Sequence, residues 1–184
     1  MPFKAYDIDS DRIIISLAFE SKLELINSCK NIICPYCKSK MHCRQRLNSA
    51  LHFVHNSSST NCISGGEGWI HHECKRLIYS ELKSQIDKMQ SSMKNRFSVD
   101  LEYRLGEVNR IIDVALLYDS APVEAHEVQL SPISIPELED RSRDYRSQGI
   151  AAYWYFGKKS NTDEVRQWSR REFGEVRCFD FQQD

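Results

Sequence analysis

The sequence of 184 residues lacks any long uninterrupted apolar run, and its N-terminus, MPFKAYDIDSDR, lacks the apolar core of a signal peptide. We therefore expect a cytoplasmic protein with no membrane segment. The sequence also lacks an excess of charge of one sign: its formal net charge is −1. Any surface that binds nucleic acid must then be a local patch. Internal repeats and long low-complexity tracts are absent as well.

Disulfide bonds are another feature that the sequence does not favour. Seven cysteines are an odd number, and without a signal peptide they argue against a disulfide framework. Metal binding is the better use for a cluster of them. The composition, 41% hydrophobic and 28% charged, is ordinary for a globular protein, and the length suits one domain with a small appended module.

Cysteine and histidine residues in the N-terminal part have the spacing of a zinc site. The sequence CPYC at residues 34–37 is followed by a histidine and a cysteine in the pattern C-x2-C-x17-H-x6-C. Tetrahedral zinc needs four sulfur or nitrogen ligands in two close pairs, and this pattern supplies them. The predicted ligands of a structural zinc ion are Cys34, Cys37, His55 and Cys62. Competing ligands are Cys29, Cys43 and His52, and His52 could instead be packed in the core.

Gly65-Gly66-Glu67-Gly68 is a flexible joint and predicts a boundary between two modules. Residues 1–66 would form N-terminal strands, two of them at 13–19 and 23–26, and the zinc ribbon. Residues 67–184 would form the larger domain.

A long helix is predicted from residue 69 to about residue 94, because apolar residues recur there at one-face spacing. His71 and Lys75 occupy the first two turns of the stripe, which continues to Met89 and Met93. Polar residues on a buried stripe need partners, unless they reach solvent at its end.

Residues 110–131 read as two apolar strands joined by a turn. A three-residue loop, Asp119-Ser120-Ala121, would pair Asp113 with Glu127 across the hairpin. Adjacent buried acids repel, so the arrangement calls for a cation, and carboxylate oxygens suit Mg²⁺ or Mn²⁺. Such an ion can activate water for phosphodiester hydrolysis. The alternative is a pair of solvated acids at a sheet edge.

The order of elements from residue 70 is helix, three strands, helix, strand, helix, strand. The capping box Ser134-Ile135-Pro136-Glu137 begins the second of these helices, and Gly149 ends it. An antiparallel hairpin followed by helix-connected strands predicts an α/β fold, with a mixed β-sheet flanked by helices.

This order, with acids on the second and third strands, resembles the PD-(D/E)XK core of restriction-endonuclease-like enzymes. Asp113 matches the aspartate of that motif, and Glu127-Val128-Gln129 matches (D/E)XK with glutamine in place of lysine. The chain more closely resembles the CoiA-like competence protein family. The matching features, between about residues 34 and 156, are CPYC, HFVH, Glu67-x3-His71-x3-Lys75, Arg110-x2-Asp113-Val114, Glu127-x-Gln129-x-Ser131, and Arg141-x3-Tyr145 followed by Gly149 and Trp154.

The resemblance implies a metal-dependent DNA nuclease that acts in uptake, processing or recombination of DNA, with protein partners in recombination. The catalytic residues would be Asp113, Glu127, Gln129, His71, Lys75 and Glu67, with Asp113 and Glu127 as ligands of Mg²⁺ or Mn²⁺. The substrate-binding residues would be Arg110, Arg141 and Tyr145. Because Gln129 carries no charge, we expect the Lys75 amine within hydrogen-bond or one-water reach of Glu127, Gln129 or a phosphate.

Other functions stay open on the sequence alone. A non-catalytic nucleic-acid-binding protein that retains the nuclease fold fits Gln129 and the near-neutral charge. Arg141 could likewise belong to an Arg–Glu pair at the surface, with Tyr145 beside it as a core tyrosine. A cysteine hydrolase based on Cys74 beside His71 or His72 is disfavoured, because adjacency on one helix is poor geometry for a nucleophile and its base.

Overall fold

The computed structural model of the protein describes residues 2–45, 50–56, 62 and 68–179. The chain divides into two compact units, residues 1–76 and 77–184. The helix Trp69–Asp87 contributes residues to both units. The boundary at residues 66 and 67 stays a prediction.

The first unit contains two small antiparallel sheets and a short helix. Its elements are β1 (Lys4–Asp7), β2 (Arg12–Ile15), α1 (Lys22–Ser28), β3 (Ile32–Ile33), β4 (Met41–Arg44) and β5 (His52–His55). One sheet has the order β2-β1-β3, and the other pairs β4 with β5. Apolar side chains from both sheets form a core with Leu25 of α1.

The strand predicted over residues 23–26 is wrong, because these residues lie in helix α1. Ser21 caps the helix by accepting a hydrogen bond from the Glu24 amide at 3.1 Å. The Ser-x-x-Glu spacing is a helix-start signal, and it outweighs the short apolar run that suggested a strand. The strand predicted over residues 13–19 is also too long, because β2 ends at Ile15 and the 3-10 turn Ser16–Ala18 follows.

The second unit is built on a mixed five-stranded sheet flanked by helices. Its sheet has the order β10-β9-β8-β7-β6, with β6, β7 and β8 antiparallel and β8, β9 and β10 parallel. The elements from residue 69 onwards are α2 (Trp69–Asp87), α3 (Ser91–Lys94), β6 (Phe97–Leu105), β7 (Arg110–Tyr118), β8 (Ala121–Gln129), α4 (Ile135–Ser147), β9 (Ala151–Phe156), α5 (Asp163–Phe173) and β10 (Arg177–Cys178). The predicted α/β fold, with a mixed sheet and a small N-terminal β module, is confirmed.

Helix α2 is shorter than the sequence predicts. It ends at Asp87, and the expected stripe residues Met89 and Met93 are exposed. The apolar stripe is buried as far as Ile86. None of the helices in the described ranges combines the length and the apolarity needed to cross a bilayer.

The turn between β7 and β8 has two residues rather than the predicted three. Asp119 and Ser120 have φ values of 47° and 68°, and Tyr118 pairs with Ala121. Two successive positive φ angles are the signature of hairpin turns whose twist matches that of the flanking strands. The three-residue loop is therefore wrong.

A β-bulge in the same hairpin restores the predicted register. Leu117 pairs with Pro122 but Leu116 pairs with Glu124, so β8 carries one extra residue. Val114 consequently pairs with His126, and the next position along each strand brings Asp113 opposite Glu127. The extra residue has the same effect on register as a third turn residue would have.

Gly157 fixes the end of β8. Its amide donates to the Gln129 carbonyl at 2.9 Å. A Cβ atom on Gly157 would lie 2.6 Å from Leu130 Cδ2 and 3.2 Å from Leu130 Cα, closer than packed carbon atoms approach. A larger residue at position 157 would therefore push β8 away from β9.

We predict that Gly157→Ala lowers the free energy of unfolding by roughly 1–3 kcal/mol, the usual cost of overpacking. The matched control is Gly106→Ala, since a Cβ there meets no atom within 4 Å. Its effect should stay within about 0.5 kcal/mol. Urea unfolding followed by circular dichroism measures both changes, and equal stability of the two variants would contradict the steric argument.

Candidate active site and metal centre

Four side chains of the first unit form a compact cluster of sulfur and nitrogen atoms. Cys34 Sγ lies 3.5 Å from Cys62 Sγ, and Cys37 Sγ lies 3.3 Å from His55 Nε2. The four ligand atoms all lie within 4.8 Å of one another. Zinc–sulfur bonds of about 2.3 Å in a tetrahedron separate the ligands by about 3.8 Å. The cluster is therefore compatible with a structural zinc ion.

The backbone around the first two cysteines shapes this cluster. The Lys38 amide donates to the Cys34 carbonyl at 3.0 Å, and Lys38 has a φ of 60°. Burial raises the pKa of the Cys37 thiol, but hydrogen bonds from Ser39 and the neighbouring thiols outweigh it and lower that pKa to about 6. A low thiol pKa favours the thiolate, which is the form that binds metal.

The competing candidate ligands make their contacts outside the cluster. Cys29 and Cys43 lie in the apolar core of the first unit, where burial raises the pKa of both thiols. The His52 ring nitrogen Nδ1 lies 2.8 Å from the Ala50 carbonyl, and the ring stacks on His72 at 6.4 Å between centroids. His52 is therefore a core histidine.

We predict about one zinc ion per chain, and its loss when any one of the four ligands is replaced. Cys34→Ser should lose the metal and unfold the first unit. Cys43→Ala, which trims a core thiol outside the cluster, should keep it. Elemental analysis of protein purified without chelators measures the metal content. Full zinc occupancy in Cys34→Ser, or none in the unaltered protein, would refute the assignment.

Asp113 and Glu127 form the second candidate site, on neighbouring strands of the large sheet. Asp113 Oδ2 accepts a hydrogen bond from the Val128 amide at 2.9 Å. Glu127 is only 1% exposed. Burial raises the pKa of Glu127 to about 7, and the charge of Asp113 adds to the rise, against the effect of Arg141. Each acid makes ionisation of the other less favourable, and the carboxylate oxygens are hard metal ligands. The pair therefore fits a divalent cation such as Mg²⁺ or Mn²⁺.

Helix α4 supplies two partners to Glu127. The Tyr145 hydroxyl donates to Glu127 Oε1 at 2.7 Å, and Arg141 forms an ion pair with Glu127 Oε2. The residues are one helical turn apart, so both reach the same carboxylate. Burial, followed by the Glu127 charge, raises the pKa of the fully buried Tyr145. The interpretation as an ion pair beside a core tyrosine is thus correct in part, but the pair is buried.

Trp154 and Ser142 complete this arrangement. The Arg141 guanidinium lies over the Trp154 ring, 4.8 Å from its centroid. The Trp154 indole N–H donates to the Ser142 hydroxyl at 3.0 Å. Trp154 pairs with Glu127 across the parallel strands β8 and β9, which places both on one face of the sheet. The sequence offers no signal for the role of Ser142.

The remaining predicted residues are distributed as follows. Gln129 Nε2 donates to the Ser131 carbonyl at 2.7 Å. Arg110 forms ion pairs of 2.9 Å with Asp140 and 2.7 Å with Asp144, which tie the start of β7 to α4.

Three predicted catalytic residues precede the large sheet in the chain. Glu67 lies outside the described residues. On α2, His71 is half-buried and Lys75 is fully buried. Their catalytic roles, and the reach of the Lys75 amine to Glu127, stay predictions.

Glu102 is an acid of strand β6 that has no role among the predicted site residues. It is 7% exposed and has a φ of 53°, an uncommon conformation for a residue with a side chain. Its neighbours Leu101 and Tyr103 pair with Val114 and Ile112, so Glu102 lies level with Asp113 on the adjacent strand. Backbone strain of this kind is not visible in a sequence and often accompanies functional sites.

We predict that Arg141→Met lowers the free energy of unfolding by roughly 3–5 kcal/mol, because it leaves a buried carboxylate without its cation. Tyr145→Phe should lower it by roughly 1–3 kcal/mol, the cost of one lost buried hydrogen bond. Denaturant unfolding without added Mg²⁺ or Mn²⁺ measures both.

A double-mutant cycle tests the origin of the first effect. Adding Glu127→Gln to Arg141→Met should recover at least about 1 kcal/mol, because the uncompensated charge is then gone. Strict additivity of the two changes would show that the ion pair is not what Arg141 contributes.

Comparison with known proteins adds one finding. The model of the family described as "Competence protein CoiA, nuclease-like domain" matches residues 67–183. The match spans the whole second unit except its last residue, and so includes both carboxylates and their partners on α4. No curated protein matches the chain.

Proposed function

Because the chain belongs to the family of CoiA nuclease-like domains, we propose that it hydrolyses phosphodiester bonds of DNA with Mg²⁺ or Mn²⁺ held by Asp113 and Glu127. The observation that supports this proposal best is the buried Glu127 carboxylate facing a second acid across the hairpin. A divalent ion would neutralise both charges. When bound, such an ion polarises a phosphoryl oxygen and lowers the pKa of a water ligand.

The side chains around the acids have distinct parts in this proposal. Arg141 has N–H donors beside Glu127, which suit the oxygens of a phosphate, and the buried Tyr145 hydroxyl holds the Glu127 carboxylate by donating to it. The Gln129 amide nitrogen is fixed on Ser131, and its side-chain oxygen is an acceptor that can orient a water molecule. The zinc cluster stabilises the first unit. DNA uptake or recombination as the setting and the protein partners remain predictions from the family. A cytoplasmic location remains a prediction from the N-terminal sequence and the lack of a long apolar run.

We predict that cleavage of DNA depends on added Mg²⁺ or Mn²⁺ and falls at least about 100-fold in Asp113→Asn and in Glu127→Gln. The control is Glu124→Gln, also on β8, whose carboxylate contacts His126 at 2.9 Å instead of the acid pair. Single-stranded and double-stranded oligonucleotides should both be tested. Cleavage that persists unchanged in either variant would refute the assignment.

The second candidate function is non-catalytic binding of nucleic acid. It is favoured by Gln129, which carries no charge and whose amide nitrogen is used by Ser131. On this alternative, the protein binds the oligonucleotides but cleaves none of them at any metal concentration. Binding would then be unchanged in Asp113→Asn.

A further inference from the structure

The Glu127 carboxylate already has a cation, and that cation belongs to the protein. Arg141 is ion-paired with one oxygen and Tyr145 donates to the other. A divalent ion at Glu127 would lie within a few ångströms of the guanidinium. Two cations so close repel strongly where the surroundings exclude water, and the Arg141 side chain is only 20% exposed.

Arg141 also makes a second interaction, with an aromatic ring, that does not depend on Glu127. Its guanidinium lies 4.8 Å from the centroid of Trp154, and the indole is fixed by its hydrogen bond to Ser142. Ser142 follows Arg141 directly on α4. A guanidinium that leaves the carboxylate can therefore remain against the aromatic ring, because an arginine over an indole face is attracted to it.

We propose that Arg141 is a built-in competitor of the divalent metal ion, bound to Glu127 in the metal-free protein and released onto Trp154 when the metal binds. This inference rests on the proposed function, since it concerns the same pair of acids. In the metal-free protein Arg141 acts through Glu127, as a positioning residue. Its charge reduces the cost of the buried carboxylate and holds that group in place until the metal arrives.

Release of Arg141 has a consequence for substrate binding. The freed guanidinium regains N–H donors in a planar fork, which matches two oxygens of a phosphate. Metal binding thus produces a phosphate-binding group, and a bound phosphate in turn removes the competitor from Glu127. Coupling of this kind is reciprocal, so DNA and metal each strengthen the binding of the other. Without DNA, the competition keeps metal affinity low.

The test is Mn²⁺ binding to the zinc-loaded full chain without DNA, measured by electron paramagnetic resonance at about pH 8.5, where protons compete less for Glu127. Arg141→Met and Arg141→Gln should bind Mn²⁺ at least about tenfold more tightly than the unaltered protein. The matched control is Arg143→Met, on the same helix, whose side chain is 68% exposed. It should bind Mn²⁺ as the unaltered protein does. Equal or weaker binding by folded Arg141 variants would overturn the inference.

A second measurement needs no substitution of Arg141. In a Mg²⁺ titration of isotopically labelled protein, the Nε–H resonance of Arg141 should shift and its exchange with water should accelerate as the site fills. The Arg143 signal should stay constant. An Arg141 resonance that is unchanged at saturation would show that the ion pair survives metal binding, which would overturn the inference even if both substitutions prevented folding.

Asp113→Asn separates this inference from the proposed function. If the unaltered protein and the Arg141 variants show no Mn²⁺ binding that Asp113→Asn abolishes, the metal site itself is wrong and the proposed function fails. If Asp113-dependent binding is present but is indifferent to Arg141, the metal site stands and the competition alone is refuted.

Discussion

The structure of the candidate site depends on one buried negative charge. A carboxylate that is 1% exposed is costly unless a cation or hydrogen-bond donors compensate it. Glu127 has both, and they come from one helix, α4, through Arg141 and Tyr145. This need explains why α4 must pack on the face of the sheet that carries the acid. Two ion pairs from Arg110, at the start of β7, hold the same helix to the sheet.

The pairing of the two acids was predicted correctly from the sequence, although by a wrong route. In the predicted register, alternation of side chains puts Asp113 and Glu127 on one face of the hairpin, whereas a slip of one residue would put them on opposite faces. The turn itself could not be predicted, because Asp119 and Ser120 adopt positive φ angles although neither is a glycine. The bulge then compensates the shorter turn.

The cluster of three cysteines and one histidine was predictable for a different reason. Its four ligands are specified by spacing along the chain, and a tetrahedral site tolerates few alternatives. Choosing among the candidates required the structure, which brings the ligand atoms of Cys34, Cys37, His55 and Cys62 within 4.8 Å of one another. The strand predicted over residues 23–26 failed for a related reason. There the local signal was a helix cap at Ser21, and the apolar run was too short to decide.

The contact of Trp154 with Arg141 is the part of the site that is hardest to predict from the sequence. A tryptophan in an apolar strand is normally read as core, and no spacing rule connects it to Arg141 on the preceding helix. The connection arises because β9 runs parallel to β8 in a register that sets Trp154 beside Glu127. The α4 crossover between these strands then places Arg141 between the acid and the indole. The guanidinium is consequently held from two sides, by a charge and by an aromatic face. A divalent ion would remove the first attraction and leave the second.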